Sequence, residues 1–200
     1  MASSIASAGG RKPVFVVTGP SGAGKGTLIE RVLPRFPELA VAVSATTRPQ
    51  RDGEEDGVHY YFLTRADFER RVAADEFLES VDYVGNRYGT LRAEIDRLRR
   101  AGKAPLLELE TEGALEVKRR VPGAVTVFVT APVEELERRL RERATESSGE
   151  IEGRIATARH QLTEQGEFDH VVENDDREEA ADRLAALIER ELAAATMAHS

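Results

Sequence analysis

The sequence has no cysteine among its 200 residues, and this absence excludes several kinds of chemistry. Without thiols the chain forms no disulfide, binds no metal through thiolates and uses no cysteine nucleophile. Its four histidines are scattered and do not show the spacing of a metal site. Its apolar runs fall well short of the ~20 residues that span a bilayer. These absences argue against a Cys- or His-ligated metalloprotein and against a membrane partner.

Positive charge is also scarce, because 28 Lys and Arg stand against 36 Asp and Glu, a formal net charge of -8. A chain of this charge repels polyanions, so we expect no nucleic-acid partner. Residues 1–12 are rich in Ser, Ala and Gly and lack the apolar stretch of a secretory signal. We expect them to form a disordered leader and the protein to be cytoplasmic. The sequence gives no indication of oligomeric state.

Apolar strand-like runs alternate with amphipathic helical segments along residues 13–196. This alternation predicts a single α/β domain in which helices cover both faces of a parallel sheet, a three-layer α/β/α core. The predicted strands are 14–18, 41–44, 104–109, 125–129 and 171–172. The predicted helices are 28–36, 91–101, 112–120, 133–142, 152–165 and 177–195. A capping box at 64–67 predicts a further short helix inside a polar, turn-rich stretch.

The strongest motif, GPSGAGKGT at 19–27, follows the first predicted strand. It fits G-x-x-x-x-G-K, in which backbone N–H groups surround a phosphate and the lysine reaches the β- and γ-phosphates. The usual Ser or Thr after the lysine is replaced by Gly26. The strand before and the helix after disfavour the alternative, a glycine-rich turn without a ligand. The residues predicted to bind ATP here are Gly19, Pro20, Ser21, Gly22, Ala23, Gly24, Lys25, Gly26 and Thr27.

The second informative segment is SATTRPQRDGEEDGVHYYF at 44–62. Its two arginines, Arg48 and Arg51, are permanent cations that can hold a phosphate bidentately, and tyrosine hydroxyls can add hydrogen bonds. Such a charged stretch is commonly a solvated loop, but the neighbouring phosphate loop favours binding. Together the two segments resemble guanylate kinase, and the resemblance covers residues 14–192.

The resemblance implies an enzyme that transfers the γ-phosphate of ATP to GMP, and we expect dGMP to be accepted as well. It implies a P-loop core at 13–43, 91–138 and 158–196, a GMP-binding insert at 44–90 and a helical lid at 139–157. The implied cofactor is Mg²⁺ that enters with ATP, without a dedicated protein cage. The implied partners are small-molecule substrates only.

The resemblance also implies two groups of GMP-binding residues. The phosphate would be held by Arg48, Arg51, Tyr60 and Tyr88, with Glu54 supporting the arginines. The base would face Ser44, Glu79 and Thr90. One carboxylate can accept hydrogen bonds from both N1–H and N2–H of guanine, whereas adenine offers no such pair of donors. Without the resemblance, the residues do not distinguish Glu79 from Glu76 as the guanine-reading acid.

The segment ELETEG at 108–113 departs from the family pattern. Glu110 is one methylene longer than the usual aspartate, and Glu112 is a carboxylate where the family is usually neutral. We expect Glu108 and Glu110 to contribute to the GMP site, since ligands of open α/β sheets bind at the carboxyl ends of strands. We interpret Glu112 as an acid that complements the N-terminus of a helix.

Three arginines flank a polar segment at 145–150 that predicts a mobile tip, and two of them, Arg139 and Arg143, share a helix face. The resemblance implies that these arginines close over the phosphate in transit. The implied catalytic residues are Lys25, Arg48, Arg139, Arg143 and Arg154. Asn174 matches the family segment at the adenine pocket, although an asparagine that ends a strand is more often a turn residue.

Two other functions remain open at this point. A kinase for a phosphorylated ribose would keep the phosphate loop and lid but lack a guanine-reading set, so Ser44, Glu79 and Thr90 argue against it. Guanylate-kinase-like modules that bind phosphorylated peptides are not enzymes and have commonly lost the phosphate loop, which is intact here.

Overall fold

The computed structural model describes residues 12–142 and 148–197. The predicted leader, except for residue 12, and Arg143 therefore lie outside the described residues. The strands are β1 (Phe15–Thr18), β2 (Leu39–Val41), β3 (Ala45–Thr46), β4 (Tyr61–Phe62), β5 (Phe77–Tyr83), β6 (Asn86–Leu91), β7 (Ala104–Glu108), β8 (Val125–Thr130) and β9 (His170–Glu173). The helices are α1 (Lys25–Val32), α2 (Arg65–Ala73), α3 (Arg92–Arg100), α4 (Thr111–Arg120), α5 (Val133–Glu142), α6 (Ser148–Thr163) and α7 (Arg177–Met197).

Five parallel strands form the main sheet in the order β2-β7-β1-β8-β9. Side chains alternate between the two faces of a strand, and β1 shows the consequence. Phe15 and Val17 pack in one buried cluster with α1 and α7, whereas Val14 and Val16 pack in a second cluster with α3 and α4. The predicted α/β fold, with helices on both faces of a parallel sheet, is confirmed.

Between β2 and α3 the chain builds a second sheet in the order β4-β3-β6-β5. Its apolar core is separate from that of the main sheet and centres on Phe68 and Phe77, whose rings stack with centroids 4.3 Å apart. Thr64 caps α2, since its hydroxyl oxygen accepts from the N–H of Asp67 at 3.1 Å, as the capping box predicted. We call residues 44–90 the insert.

The predicted strand at 41–44 was wrong, because β2 covers Leu39–Val41. The N–H of Val43 donates to Oε1 of Glu94 at 3.0 Å, so the chain leaves the main sheet there. The hydroxyl of Tyr61 donates to the same carboxylate at 3.1 Å, which joins the insert to α3. Burial would raise the pKa of Glu94, but hydrogen bonds from Arg97 and from these two donors hold it below its ordinary value.

Two predicted helices differ from the observed ones. The helix predicted at 28–36 begins earlier, at Lys25, and ends at Val32, where a 3₁₀ turn containing Pro34 follows. The helix predicted at 152–165 begins at Ser148. Helices α5 and α6 share a small apolar cluster of Leu140, Ile155 and Ala158. None of the helices within the described ranges is long and apolar enough to cross a membrane.

Candidate active site

The loop between β1 and α1, residues 19–24, turns at its glycines. Gly24, the residue before α1, has a φ of 87°, in the left-handed region that favours glycine. At Gly19 a Cβ would lie 2.0 Å from the carbonyl oxygen of Val129, so no side chain fits there. The loop therefore packs closely against β8 and leads into the N-terminus of α1. The partial positive charge of that terminus favours an anion.

Lys25 is the first residue of α1, and its side chain folds over the loop. Its Nζ donates to the carbonyl oxygens of Gly19 at 2.7 Å and Pro20 at 3.3 Å. The residue is buried. It lines a cavity of about 400 Å³ towards the insert and a second cavity of about 360 Å³ over the loop. Lys25 therefore lines both cavities.

The phosphate loop is supported from behind by α5 and by the residue after β9. The side chain of Asn174 is buried, and its Nδ2 donates to the carbonyl oxygen of Ala23 at 2.7 Å. Arg139 donates to the carbonyl oxygens of Gly22 at 3.3 Å and Asn174 at 3.1 Å, and Glu135 accepts from its Nε at 2.7 Å. Arg139 and Asn174 thus hold the loop in shape as well as lining a small cavity beside it.

The larger cavity lies between the loop and the insert, and its volume suits a nucleotide-sized ligand. Several segments that are distant in sequence contribute its polar lining. The predicted site residues that line it are Lys25, Ser44, Tyr60, Glu79, Tyr88, Glu108 and Glu110. We call this space the acceptor cavity, after the phosphate acceptor that the family resemblance implies.

An oriented cation lies behind Tyr60, which lines the acceptor cavity. Both terminal nitrogens of Arg48 donate to the Glu54 carboxylate, at 2.9 and 2.7 Å, and the guanidinium carbon lies 5.3 Å from the ring centre of Tyr60. The N–H of Arg51 donates to the same carboxylate at 2.8 Å. These hydrogen bonds lower the pKa of Glu54 to about 2, so the carboxylate stays ionised. The Tyr60 and Tyr88 rings meet edge to face beside this pair.

A buried acid also lines the acceptor cavity. Glu79 is 1% exposed, and desolvation by burial raises its pKa from 4.5 to about 7. Within the described part of the chain, its Oε1 has no hydrogen-bond partner of good geometry. Thr90 lies close enough to interact with the carboxylate and offsets part of the rise in its pKa. Unpaired buried polar atoms are costly, which indicates that a ligand completes them. Glu76, by contrast, is exposed and paired with Arg71.

Comparison with known proteins decides the family. The guanylate kinase family model matches residues 10–191. The chain is 46% identical over 179 residues to guanylate kinase from Synechococcus sp. (strain JA-3-3Ab), covering 89% of this chain and 82% of the relative. The chain belongs to the guanylate kinase family. It is also 45% identical over 181 residues to guanylate kinase from Rubrobacter xylanophilus, covering 90% of this chain and 95% of the relative.

A solved structure of guanylate kinase from Anaplasma phagocytophilum superposes with a TM-score of 0.71 at 28% identity, covering 92% of this chain and 88% of that one. The family resemblance found in the sequence is therefore confirmed, and the chain is an ATP:GMP phosphotransferase that acts on small molecules. A kinase for a phosphorylated ribose and a non-catalytic peptide-binding module are not favoured by these relatives.

The structure places the predicted guanylate kinase residues unequally. Four predicted GMP-binding residues do not line the acceptor cavity. Arg51 is exposed on its loop, and Thr90 is buried beside Glu79. Arg48 and Glu54 pair with each other behind Tyr60. Arg154 of α6 donates from Nη2 to the Ser21 hydroxyl at 3.1 Å, which brings α6 against the phosphate loop. Arg139 lies within α5, so the predicted start of the lid falls inside that helix.

Three of the site residues that the sequence analysis missed have polar side chains. His59 and Tyr83 line the acceptor cavity, and each adjoins a motif that could have drawn attention to it: His59 precedes Tyr60, and Tyr83 precedes the β5–β6 turn. The buried side chain of Gln161 donates from Nε2 to Oε2 of Glu110 at 3.2 Å. No local pattern points to Gln161, because it acts across 51 residues of sequence.

The oxygen atoms near the phosphate loop fit Mg²⁺ that arrives with ATP. The cavity over the loop is lined by Gly26, Thr27, Glu108 and Glu110, among others. A Cβ at Gly26 would lie 3.5 Å from Oε2 of Glu108, so this carboxylate adjoins the place of the usual hydroxyl. Hydroxyl and carboxylate oxygens suit Mg²⁺, which is commonly held by few protein ligands together with substrate phosphates.

Proposed function

We propose that Glu79 reads the guanine base in the acceptor cavity and that the phosphate passes from ATP to GMP beside Lys25. The observation that carries this proposal is the burial of Glu79 at the cavity wall with Oε1 unpaired. The acceptor cavity and the cavity over the loop share Lys25, Glu108 and Glu110. GMP in the first and ATP in the second would bring the acceptor phosphate and the γ-phosphate to this junction.

Base selection follows from the donors that guanine presents. An ionised Glu79 accepts from N1–H and N2–H together, and the hydroxyl of Ser44 supplies a further hydrogen bond. Thr90 lies beside Glu79 and would orient its carboxylate. Adenine has no donor at N1 or C2, so it would leave the buried carboxylate unpaired. A site that loses buried hydrogen bonds with the wrong base rejects it strongly.

The acceptor phosphate would be held by Arg48, Arg51, Tyr60 and Tyr88. Glu54 fixes the plane of the Arg48 guanidinium, and an oriented planar cation matches two phosphate oxygens at once. Arg51 is exposed, and its side chain can turn towards the phosphate while its N–H stays on Glu54. Holding this phosphate in line with ATP supplies much of the rate enhancement.

Phosphoryl transfer needs little covalent help from protein. Lys25 would exchange the carbonyl oxygens of Gly19 and Pro20 for phosphate oxygens, and Arg139, Arg143 and Arg154 would neutralise the transferring group. Mg²⁺ would neutralise charge on the ATP phosphates when bound, with Thr27 and Glu108 as the residues to contact it. Packing of α6 over the loop would exclude water and limit ATP hydrolysis.

The raised pKa of Glu79 predicts a pH dependence that tests the proposed base reading. Below about pH 7 the free enzyme holds Glu79 protonated, and a neutral carboxyl cannot accept both guanine hydrogen bonds. We therefore expect kcat/KM for GMP to fall as pH drops through about 7. Initial rates between pH 5.5 and 8.5 would show this limb, because kcat/KM reports groups of the free enzyme and free substrate.

The GMP phosphate also titrates, near pH ~6, so a control is needed. Glu79→Gln keeps the phosphate titration but has no group to protonate at position 79. We expect its weaker residual activity to lack the limb near pH 7. Identical pH profiles for the two enzymes would contradict the role of Glu79.

Loss of the lid cation at position 154 should slow the chemical step. Arg154→Ala is expected to lower kcat about 10²-fold, with a smaller rise in KM for GMP, because the cation acts mainly on the transition state. Arg159→Ala is the matched control, since Arg159 lies on the same helix but is exposed and paired with Glu137. Equal kcat values for the two variants would remove Arg154 from the mechanism.

Closure of the lid can be measured independently of activity. We expect a bisubstrate analogue to slow amide hydrogen exchange within residues 148–157, because both nucleotides together draw α6 onto the phosphates. Exchange that is the same with and without the analogue would contradict closure.

A further inference from the structure

Glu79 reaches the acceptor cavity because β5 contains a bulge. Phe77 pairs with Leu91 and Glu79 pairs with Thr90, so two steps along β5 match one step along β6. The extra residue, Leu78, packs in the main core, whereas Phe77 packs in the core of the insert. Three consecutive side chains are buried as a result, which a regular strand with one solvated face does not produce. Bulges of this kind redirect a side chain beside an active site.

Two buried glycines flank Glu79, one on each side. Neither Gly89 nor Gly113 has a positive φ, so backbone conformation does not explain them. A Cβ at Gly113, in the first turn of α4, would lie 2.8 Å from Oε2 of Glu79. A Cβ at Gly89, in β6, would lie 2.6 Å from the carbonyl oxygen of Glu79 and 2.8 Å from the Phe77 ring. Both positions therefore favour glycine because there is no room for a Cβ unless a neighbouring atom moves.

We propose that Gly113 is a positioning residue for guanine selectivity, because the missing side chain leaves the space that holds the Glu79 carboxylate against α4. Glycine is less favourable than alanine inside a helix, so its presence in α4 requires such a reason. The inference rests on the proposed role of Glu79 as the guanine reader.

The two glycines differ in what a methyl group would displace. At Gly113 the clashing atom is the end of a flexible side chain, so the carboxylate can turn away while α4 stays folded. At Gly89 the clashing atoms are backbone and an aromatic ring, which cannot yield without moving the sheet. Gly113→Ala should therefore impair selection of the base and leave stability intact, whereas Gly89→Ala should lower the melting temperature.

The test compares Gly113→Ala with the wild type and with Gly166→Ala, a control whose Cβ would meet no atom within 4 Å. We expect Gly113→Ala to lower kcat/KM for GMP about 10- to 100-fold, mostly through KM, since a small misplacement of a positioning group has effects of this size. Activity on AMP should change far less, and the melting temperature should not fall. The pH limb near 7 in kcat/KM for GMP should also shift.

A shorter acid provides a second arm. Glu79→Asp withdraws the carboxylate from position 113, so its loss should be smaller in the Gly113→Ala background than in the wild type. Losses that multiply in the double variant would overturn the inference, because independent sites behave in that way. An unchanged GMP-to-AMP preference in Gly113→Ala, or failure of that variant to fold, would also overturn it.

Failure of the proposed function is recognised separately. If Glu79→Gln leaves base preference unchanged in the same assays, the proposed role of Glu79 is wrong, and the inference about Gly113 falls with it. If Glu79→Gln changes base preference and Gly113→Ala does not, only the inference about Gly113 is overturned.

Discussion

Replacement of Lys25 by alanine is expected to lower kcat about 10³-fold. Lys25 lines both cavities, and removal of one well-placed charged donor to a transition state commonly has an effect of this order. The fold should survive, because the variant loses two hydrogen bonds to the loop carbonyls of Gly19 and Pro20 and a charge interaction with Glu108, but no apolar core contact among the described residues. A coupled assay of ADP release with ATP and GMP measures the change.

Lys103→Ala is the matched control for this prediction. Lys103 also donates from Nζ to a backbone carbonyl, that of Pro37 at 2.6 Å, but it is not among the residues that line the site cavities. Its loss should leave kcat unchanged. A Lys25→Ala enzyme that keeps more than about a tenth of wild-type activity would contradict the role of Lys25.

The Glu79→Gln variant is expected to lose guanine selectivity. Glutamine keeps the shape of the side chain but replaces one acceptor oxygen with a donor. We expect kcat/KM for GMP to fall by an amount that corresponds to a loss of about 2–4 kcal/mol in transition-state stabilisation. Activity on AMP should fall far less or rise. Glu76→Gln, at an exposed acid three residues away, should leave both activities unchanged. If Glu79→Gln keeps the GMP-to-AMP preference unaltered, another acid recognises guanine, and Glu110 is the first candidate.

Although Glu79→Gln should lower activity on GMP, it should raise thermal stability at alkaline pH. Burial raises the pKa of Glu79 from its ordinary 4.5 to about 7 in the folded state, so the folded state binds more protons than the unfolded chain between these pH values. Stability from this group is complete below about pH 4.5 and is lost as pH rises through 7, by up to ~3 kcal/mol. At pH 8 we therefore expect Glu79→Gln to unfold at a higher temperature than the wild type.

The core and the phosphate loop were predictable because their signals are local. The run at 14–18 is apolar on both faces, as a central parallel strand requires, and the loop spacing depends on contiguous residues. The predicted strand at 41–44 failed for a non-local reason. The segment is hydrophobic enough for a strand, but the N–H of Val43 donates to the side chain of Glu94 in α3 and not to a neighbouring strand.

The sheet of the insert could not be predicted from its sequence pattern. Strands β3 and β4 have two residues each, too few for an alternation to show. The bulge at Leu78 interrupts the alternation of β5. The choice between Glu79 and Glu76 depends on this bulge, since it decides which acid is buried, and a sequence pattern does not show where the register shifts.

The roles of Arg139 and Asn174 show a similar limit. The family resemblance implies a lid cation and an adenine contact, and the structure adds that both side chains bind the phosphate loop itself. These contacts join segments that are more than a hundred residues apart. Their assigned roles in nucleotide binding stay predictions.

The central claim is that the enzyme phosphorylates GMP and selects it through a carboxylate that binds guanine. A panel of nucleotide substrates tests this claim most directly. Wild-type enzyme with ATP and Mg²⁺ would be supplied with GMP, AMP, CMP or UMP in turn, and ADP release would be followed by a coupled assay. We expect kcat/KM for GMP to exceed that for AMP by ~10⁴ or more, because the mismatched base leaves buried polar groups unpaired. Comparable rates with GMP and any other nucleotide, or no ADP release with GMP, would contradict this claim.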